Sequence, residues 1–241
     1  MSETAQVTNT DNHDTPKTST TKKILKGSLE LAAIVIVSLF LSFILKAYFV
    51  QPFHIPSESM QNTLQVNDRI IVNKMKNEEK DLQRGDVIVF KDTKAWLPPA
   101  PEENPNIIQR ILINTGIAED TSEQYLVKRI IGMPGDRIEC CSPSGKITVN
   151  GKEIDEPYVY TSSERPGREF NVIVPEGKVW VMGDHRDASA DSRAHMNGPG
   201  NGFIDINDIQ GKTAMVVWPF ENFGKLDNHS AVFEKVPNPT N

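Results

Sequence analysis

The sequence predicts a mainly β fold carrying one N-terminal transmembrane helix, and three observations predict it. A single apolar stretch, Leu29 to Val50, is long enough to cross a bilayer. Short β-rich runs bounded by Gly, Pro, Asn and Asp recur through the rest of the chain. No comparable helical pattern interrupts them.

Taken in order, residues 1–28 read as a disordered cytoplasmic tail, because Thr, Ser, Asn and Asp dominate as far as Thr21 and large apolar residues are scarce. Residues 29–50 read as the anchor. Leu31 to Leu45 holds only apolar residues plus Ser38 and Ser42, and about twenty helical residues rise roughly 30 Å, one hydrocarbon core. Its length, and the lack of a small-x-small cleavage pattern after it, favour an uncleaved anchor over a secretion signal. Lys22, Lys23 and Lys26 precede it and no Lys or Arg occurs from Ala47 to Asp68, so the positive-inside bias puts the N-terminus in the cytoplasm and the rest of the chain outside.

Residues 51–226 read as one extracytoplasmic domain, long enough for a sizeable core. Its strand candidates are Arg69 to Asn73, Asp86 to Phe90, Tyr125 to Ile131, Lys146 to Val149, Phe170 to Val174, Lys178 to Met182 and Thr213 to Trp218. Asn150-Gly151 between two such runs is the strongest hairpin signal. An insertion near 92–124 is marked by Pro98, Pro99, Pro101 and Pro105. Residues 227–241, with Pro237 and Pro239, read as a flexible tail with little to bury.

Composition excludes some functions. A net charge of -6 leaves no basic footprint for nucleic acid. The two cysteines, Cys140 and Cys141, are adjacent, a spacing that seldom bridges, so they read as incidental thiols and the fold is expected to need no disulfide framework. No cofactor or metal is expected: Asp184, Asp187 and Asp191 lack EF-hand spacing, and Arg186 and Arg193 stand among them to pair with them.

The candidate nucleophile is Ser59, in Ile55-Pro56-Ser57-Glu58-Ser59-Met60, a few residues beyond the anchor. Its candidate base is Lys128. Alternation along Tyr125 to Ile131 puts Lys128 on one face with Leu126 and Ile130, and an inward face would desolvate the ammonium and lower its pKa toward a useful base. Periodicity alone equally allows a solvent-facing lysine on an edge strand. Arg129 cannot serve, because guanidinium stays charged.

Three blocks then carry a resemblance: Pro56-Ser57-Glu58-Ser59-Met60, Lys128-Arg129-Ile130-Ile131-Gly132-Met133-Pro134-Gly135-Asp136, and Gly183-Asp184-His185-Arg186-Asp187-Ala188-Ser189-Ala190-Asp191-Ser192-Arg193. With the Arg84 to Phe90 strand, they resemble bacterial type I signal peptidases from the anchor to about Trp218. The resemblance implies a β-rich signal-peptidase-like catalytic domain, Ser59 as nucleophile and Lys128 as general base. It further implies an oxyanion hole from the Ser57 hydroxyl and the Ser59 N–H. Ser189 would orient the lysine, with Asp184, Asp191 and Arg193 holding its loop by charge pairing. Implied partners are signal-peptide-bearing preproteins and the lipid bilayer, with the secretion translocon a further candidate, at the bacterial cell membrane as a single-pass protein. Asn62 departs from a common proline, and His185 and Ala188 from common asparagines. Rival readings are a Ser/His/Asp triad through His185 or His195, and a non-enzymatic membrane-anchored binding domain. Self-cleaving repressor proteases share Ser/Lys chemistry but need a DNA-binding domain, where this chain begins with a short tail and an anchor.

Overall fold

The computed structural model describes residues 18–75, 78–99, 106–107, 124–160 and 169–239. Helix α1 runs Thr18–Tyr48. Its segment Lys26–Ile44 is long and apolar enough to cross a membrane, and its side chains from Leu29 to Phe43 are exposed. The helix begins ahead of the expected boundary at 29, where Lys22, Lys23, Leu25 and Lys26 are good helix formers contiguous with the span. Most of the expected tail, residues 1–17, lies outside the described residues.

Twelve described strands follow, in the unit Ile44–Asn241. They are β1 (Val50–His54), β2 (Arg69–Asn73), β3 (Val87–Lys91), β4 (Tyr125–Gly132), β5 (Arg137–Cys140), β6 (Thr148–Val149), β7 (Lys152–Glu153), β8 (Phe170–Ile173), β9 (Lys178–Met182), β10 (Ile204–Asp205), β11 (Ile209–Trp218) and β12 (Gly224–Lys225). The larger sheet is ordered β1-β2-β11-β3-β4-β9-β10, with β12 paired to β11; the smaller is β7-β6-β5-β8, and every pairing is antiparallel. The mainly β expectation therefore holds, and apart from α1 and the α-helical Ile107 the described helices are single 3₁₀ turns.

Residue type explains the central strands. In β3, Val87 and Val89 enter one core cluster and Ile88 and Phe90 another, so successive side chains are buried on both faces. In β9, Val179 and Val181 join the second cluster while Trp180 and Met182 join a third, with Ile138, Val149 and Phe170 of the smaller sheet and Ile147 just before β6. Strand β4 lies between these two. The β6–β7 turn is Asn150-Gly151, both at positive φ (49° and 76°), the backbone that a two-residue type I′ hairpin requires. Strand β1, which carries Pro52, sits at the sheet edge, where a missing N–H leaves no ladder bond unmade.

Three expectations change. The segment after Leu226 is packed rather than loose: Phe233 and Val236 are buried in the cluster with Trp180 and Ile138, and Asn150 Nδ2 donates to the Pro237 carbonyl. Two apolar side chains spaced three apart were enough to fasten it. Cys140 and Cys141 are joined as a vicinal disulfide, Cα atoms 2.9 Å apart; their Cα positions need not be well separated, as the spacing argument assumed. Because it encloses a two-residue loop it restricts little of the unfolded chain, and the fold still rests on its core. Of the insertion, residues 92–99 are anchored. Asp92 accepts backbone N–H bonds from Lys94, Trp96 and Leu97, and Trp96 packs edge-to-face on Phe90. Pro101, Pro105 and the Ile111-Leu112-Ile113 run lie outside the described residues.

Candidate active site

Ser59 occupies a tight turn after β1. Gln61 N–H donates to the Glu58 carbonyl and Leu64 N–H to the Met60 carbonyl, while Met60 and Leu64 are buried in the core beneath. Met60 is 1% exposed, which makes it a packing residue that fastens the turn. Ser59 is itself only 7% exposed. Asn62 stands at φ 86°, which a proline ring cannot adopt, so the departure from the common proline has a backbone reason.

Lys128 comes from the middle of β4. Its i±2 neighbours Leu126 and Ile130 are buried in one cluster, as alternation predicts, and Lys128 is 3% exposed. Its Nζ lies 2.8 Å from Ser59 Oγ and donates also to the Val127 carbonyl at 2.9 Å. Burial pushes its pKa from the ordinary 10.5 down to about 8, and the nearby carboxylates of Asp191 and Asp184 keep it from falling further. Ser57 Oγ lies 3.4 Å from Ser59 Oγ.

The third block wraps behind these two. Asp191 is buried, which alone would raise its pKa, but the Arg193 guanidinium and the Gly183 N–H hold it below the usual range. Asp184 does not pair within its loop; it takes the guanidinium of Arg129, from the strand that carries Lys128. Gly183 sits where a Cβ would come within 2.4 Å of the Ser59 carbonyl and 2.2 Å of Ser189 Oγ, so only a bare Cα fits behind Ser59. Ser189 Oγ is buried near the Asp191 carboxylate, whose charge it favours, and the expected bond to the lysine amine is not made in this geometry, where Lys128 Nζ is turned to Ser59 and Val127.

Neither histidine reaches the Ser59 hydroxyl, whose described partners are Lys128 Nζ and Ser57 Oγ. His185 donates its backbone N–H to the Ser59 carbonyl while its ring packs on Tyr160. His195 Nδ1 meets the Asp191 carbonyl, and its ring stacks on Trp96 at 4.3 Å.

The family model for signal peptidase, peptidase S26, matches residues 28–218. The chain belongs to this family. It is 35% identical to a probable signal peptidase I of Mycobacterium leprae over 81% of this chain and 78% of that one. It is 36% identical to signal peptidase I of Mycobacterium tuberculosis over 81% and 74%, and 31% identical to signal peptidase IB of Staphylococcus aureus over 84% and 93%. As an S26 signal peptidase it is a serine peptidase, a hydrolase.

Within this S26 chain the partners that several polar residues about the site take carried no sequence signal. Arg129 is fully buried; desolvation works against its charge, but Asp184 more than compensates and its pKa stays raised. Its guanidinium also donates to the Gly85 carbonyl at 2.7 Å and to Thr63 Oγ1 at 3.1 Å, and Thr63 in turn donates to Asp184. Arg186, expected to pair with the loop's own aspartates, instead takes Glu156 in a second, part-buried pair, because its side chain turns out of the loop toward the 156–160 segment, with Arg186 Nε donating to the Gly183 carbonyl. Apart from the Arg186–Gly183 contact, these partners lie 30 to 121 residues apart in sequence, beyond any local spacing rule.

Proposed function

We propose that the protein is a membrane-anchored endopeptidase that removes N-terminal signal peptides from exported preproteins with a Ser59/Lys128 dyad. The observation that carries the reading is the 2.8 Å approach of Lys128 Nζ to Ser59 Oγ inside a desolvated pocket. A neutral Lys128 amine accepts the Ser59 proton as Oγ attacks the scissile carbonyl. The resulting ammonium then protonates the departing amine, and a water activated by the same amine releases the acyl group. Negative charge on the tetrahedral oxygen is met by the Ser59 N–H and the Ser57 hydroxyl, each donor contributing about 3 kcal/mol. Ser189 Oγ, buried near the Asp191 carboxylate and making no bond to the lysine in this geometry, receives the Lys128 ammonium and holds its orientation between steps.

The substrate follows from the relatives' names and from the anchor. A signal peptide has an apolar segment in the bilayer and small residues beside its cleavage site, so a protease carrying its own span shares the substrate's surface. Lys22, Lys23 and Lys26 orient that span with the N-terminus in the cytoplasm and residues 51–239 outside, at the bacterial cell membrane, where the secretion translocon delivers the preprotein. The test is incubation of the full-length protein with a preprotein bearing an Ala-x-Ala site, beside Ser59→Ala and Lys128→Ala. Both variants should leave the preprotein intact, and cleavage retained by Lys128→Ala removes the dyad.

A further inference from the structure

Residues 156–160 follow the β6–β7 hairpin of the smaller sheet and touch all three blocks that build the site, yet the hydrolysis described above gives them no task. Glu156 takes Arg186 through two bonds of 3.0 and 2.6 Å, and Arg186 in turn donates to the Gly183 carbonyl and accepts at its own carbonyl from Arg193. The Tyr158 carbonyl accepts from Asn62 Nδ2 at 3.1 Å, in the turn that carries Ser59. The Tyr158 ring lies under the Arg129 guanidinium at 4.1 Å, beside Lys128. Its hydroxyl donates back to Glu156 at 2.8 Å, and the Tyr160 N–H donates to the Asp184 carbonyl at 3.0 Å.

We propose that Glu156 and Tyr158 are positioning residues for catalysis, the segment they occupy tying the Ser59 turn, the Lys128 strand and the 183–193 loop into one register. The inference rests on the Ser59/Lys128 reading of the site.

The argument is one of distance along the chain. Ser59 and Lys128 are 69 residues apart, and Arg129 and Asp184 are 55 apart, so local backbone rules do not fix their mutual placement. An error of about 1 Å in such a placement costs on the order of 10²-fold in rate. Three of the segment's contacts are with groups that support the reacting pair: Asn62 in the Ser59 turn, Arg129 beside Lys128, and Arg186, which donates to the carbonyl of Gly183 behind Ser59; the Tyr158 ring also packs on His229. The ties are also insulated from water. Tyr158 is 2% exposed and Arg186 4%, and burial pushes the Tyr158 phenol well above its usual range, so it stays a donor to Glu156 across the working pH. A cation buried this deeply without its carboxylate is strongly unfavourable, which makes Glu156 the residue that fixes where Arg186 can be.

The test is steady-state cleavage of the Ala-x-Ala preprotein at pH 9 by full-length protein in detergent. Wild type is compared with Glu156→Gln, Tyr158→Leu and Tyr158→Phe, and with Ile147→Val as a core variant of the smaller sheet. Glu156→Gln and Tyr158→Leu should lower kcat about tenfold or more with KM within about twofold. They should slow acylation of Ser59 by a small acylating probe by the same factor and leave the midpoint of the pH–rate profile in place. Tyr158→Phe, which keeps the ring under Arg129, should retain most of the rate. The proposal is overturned if kcat stays within twofold of wild type, if only KM rises, or if the loss is no greater than that of Ile147→Val at equal distance from its melting temperature. Glu156→Asp keeps the charge with a shorter reach and covers the case in which the other variants do not fold; full activity in it also overturns the proposal. Lys128→Ala in the same assay separates the two readings, because cleavage retained there removes the dyad itself and the positioning role with it.

Discussion

Lys128 and Arg129 are adjacent on β4, both cationic by type and both removed from water, yet their surroundings treat charge in opposite ways. Around Arg129, Asp184 meets the guanidinium through two bonds of 2.9 and 2.7 Å, and Gly85 and Thr63 take further N–H groups. Around Lys128 no carboxylate is bonded; its partners are a hydroxyl and a carbonyl, with Asp184 and Asp191 acting only from farther off. Burial with a counter-ion preserves a charge and burial without one surrenders it. One strand thus holds a fixed cation that organises the loops beside an amine whose proton can leave.

The comparison breaks first at Lys128. Replacing it with Ala should lower kcat by about 10²–10⁴-fold, the range of a positioned general base, measured as preprotein cleavage per turnover at pH 9. The neighbouring position should fail differently. Arg129→Met strands the Asp184 carboxylate in a buried site, and about 3–5 kcal/mol of stability should be lost, read from the midpoint of urea unfolding at constant slope. If Arg129→Met unfolds like wild type and Lys128→Ala is the unstable variant, the two roles are reversed.

How far this contrast was legible in the sequence depends on the range of the interactions. Alternation along Tyr125 to Ile131 placed Lys128 among apolar neighbours, and the Asn150-Gly151 turn gave the hairpin, because both rules act within a few residues. Neighbouring sequence carried no sign that Arg129 would also be interior, since a guanidinium is buried only where a carboxylate meets it and Asp184 is 55 residues away. Asp184 was expected to pair inside its own loop for the same reason. Strand β1 was hidden because Val50 continues the apolar run of the anchor and Pro52 argues against a strand unless it is known to lie at an edge. The packing of Phe233 and Val236 depended on a surface that the distant Trp180 and Ile138 create.

A smaller effect sharpens the contrast through pH. If the reacting form is the neutral amine, kcat/KM should fall about tenfold per pH unit below about 8 and level off above it. The Arg129 guanidinium stays charged throughout and adds no inflection. A rate that is flat from pH 6 to pH 9 would contradict a lysine base, as would an acid limb that persists in a variant with no titratable residue at 128.

The smallest effect is on stability, and its sign runs against intuition. Between about pH 8 and the ordinary lysine value of 10.5, the unfolded chain holds a proton at Lys128 that the folded chain has lost. Stability therefore rises with pH across that window, and below pH 8, where both states are protonated, the full cost of a buried ammonium is carried. A shift of this size corresponds to roughly 3 kcal/mol at most, and the bonds to Ser59 and Val127 lost on substitution offset part of it. Lys128→Met should accordingly be inactive but more stable than wild type by about 1–2 kcal/mol at pH 7, with the advantage shrinking toward zero near pH 10.5. Melting temperatures of the two proteins across that range measure it. A constant gap would mean that the methionine simply packs better, and a less stable variant at pH 7 would mean that Lys128, like Arg129, is held charged by partners that stabilise it.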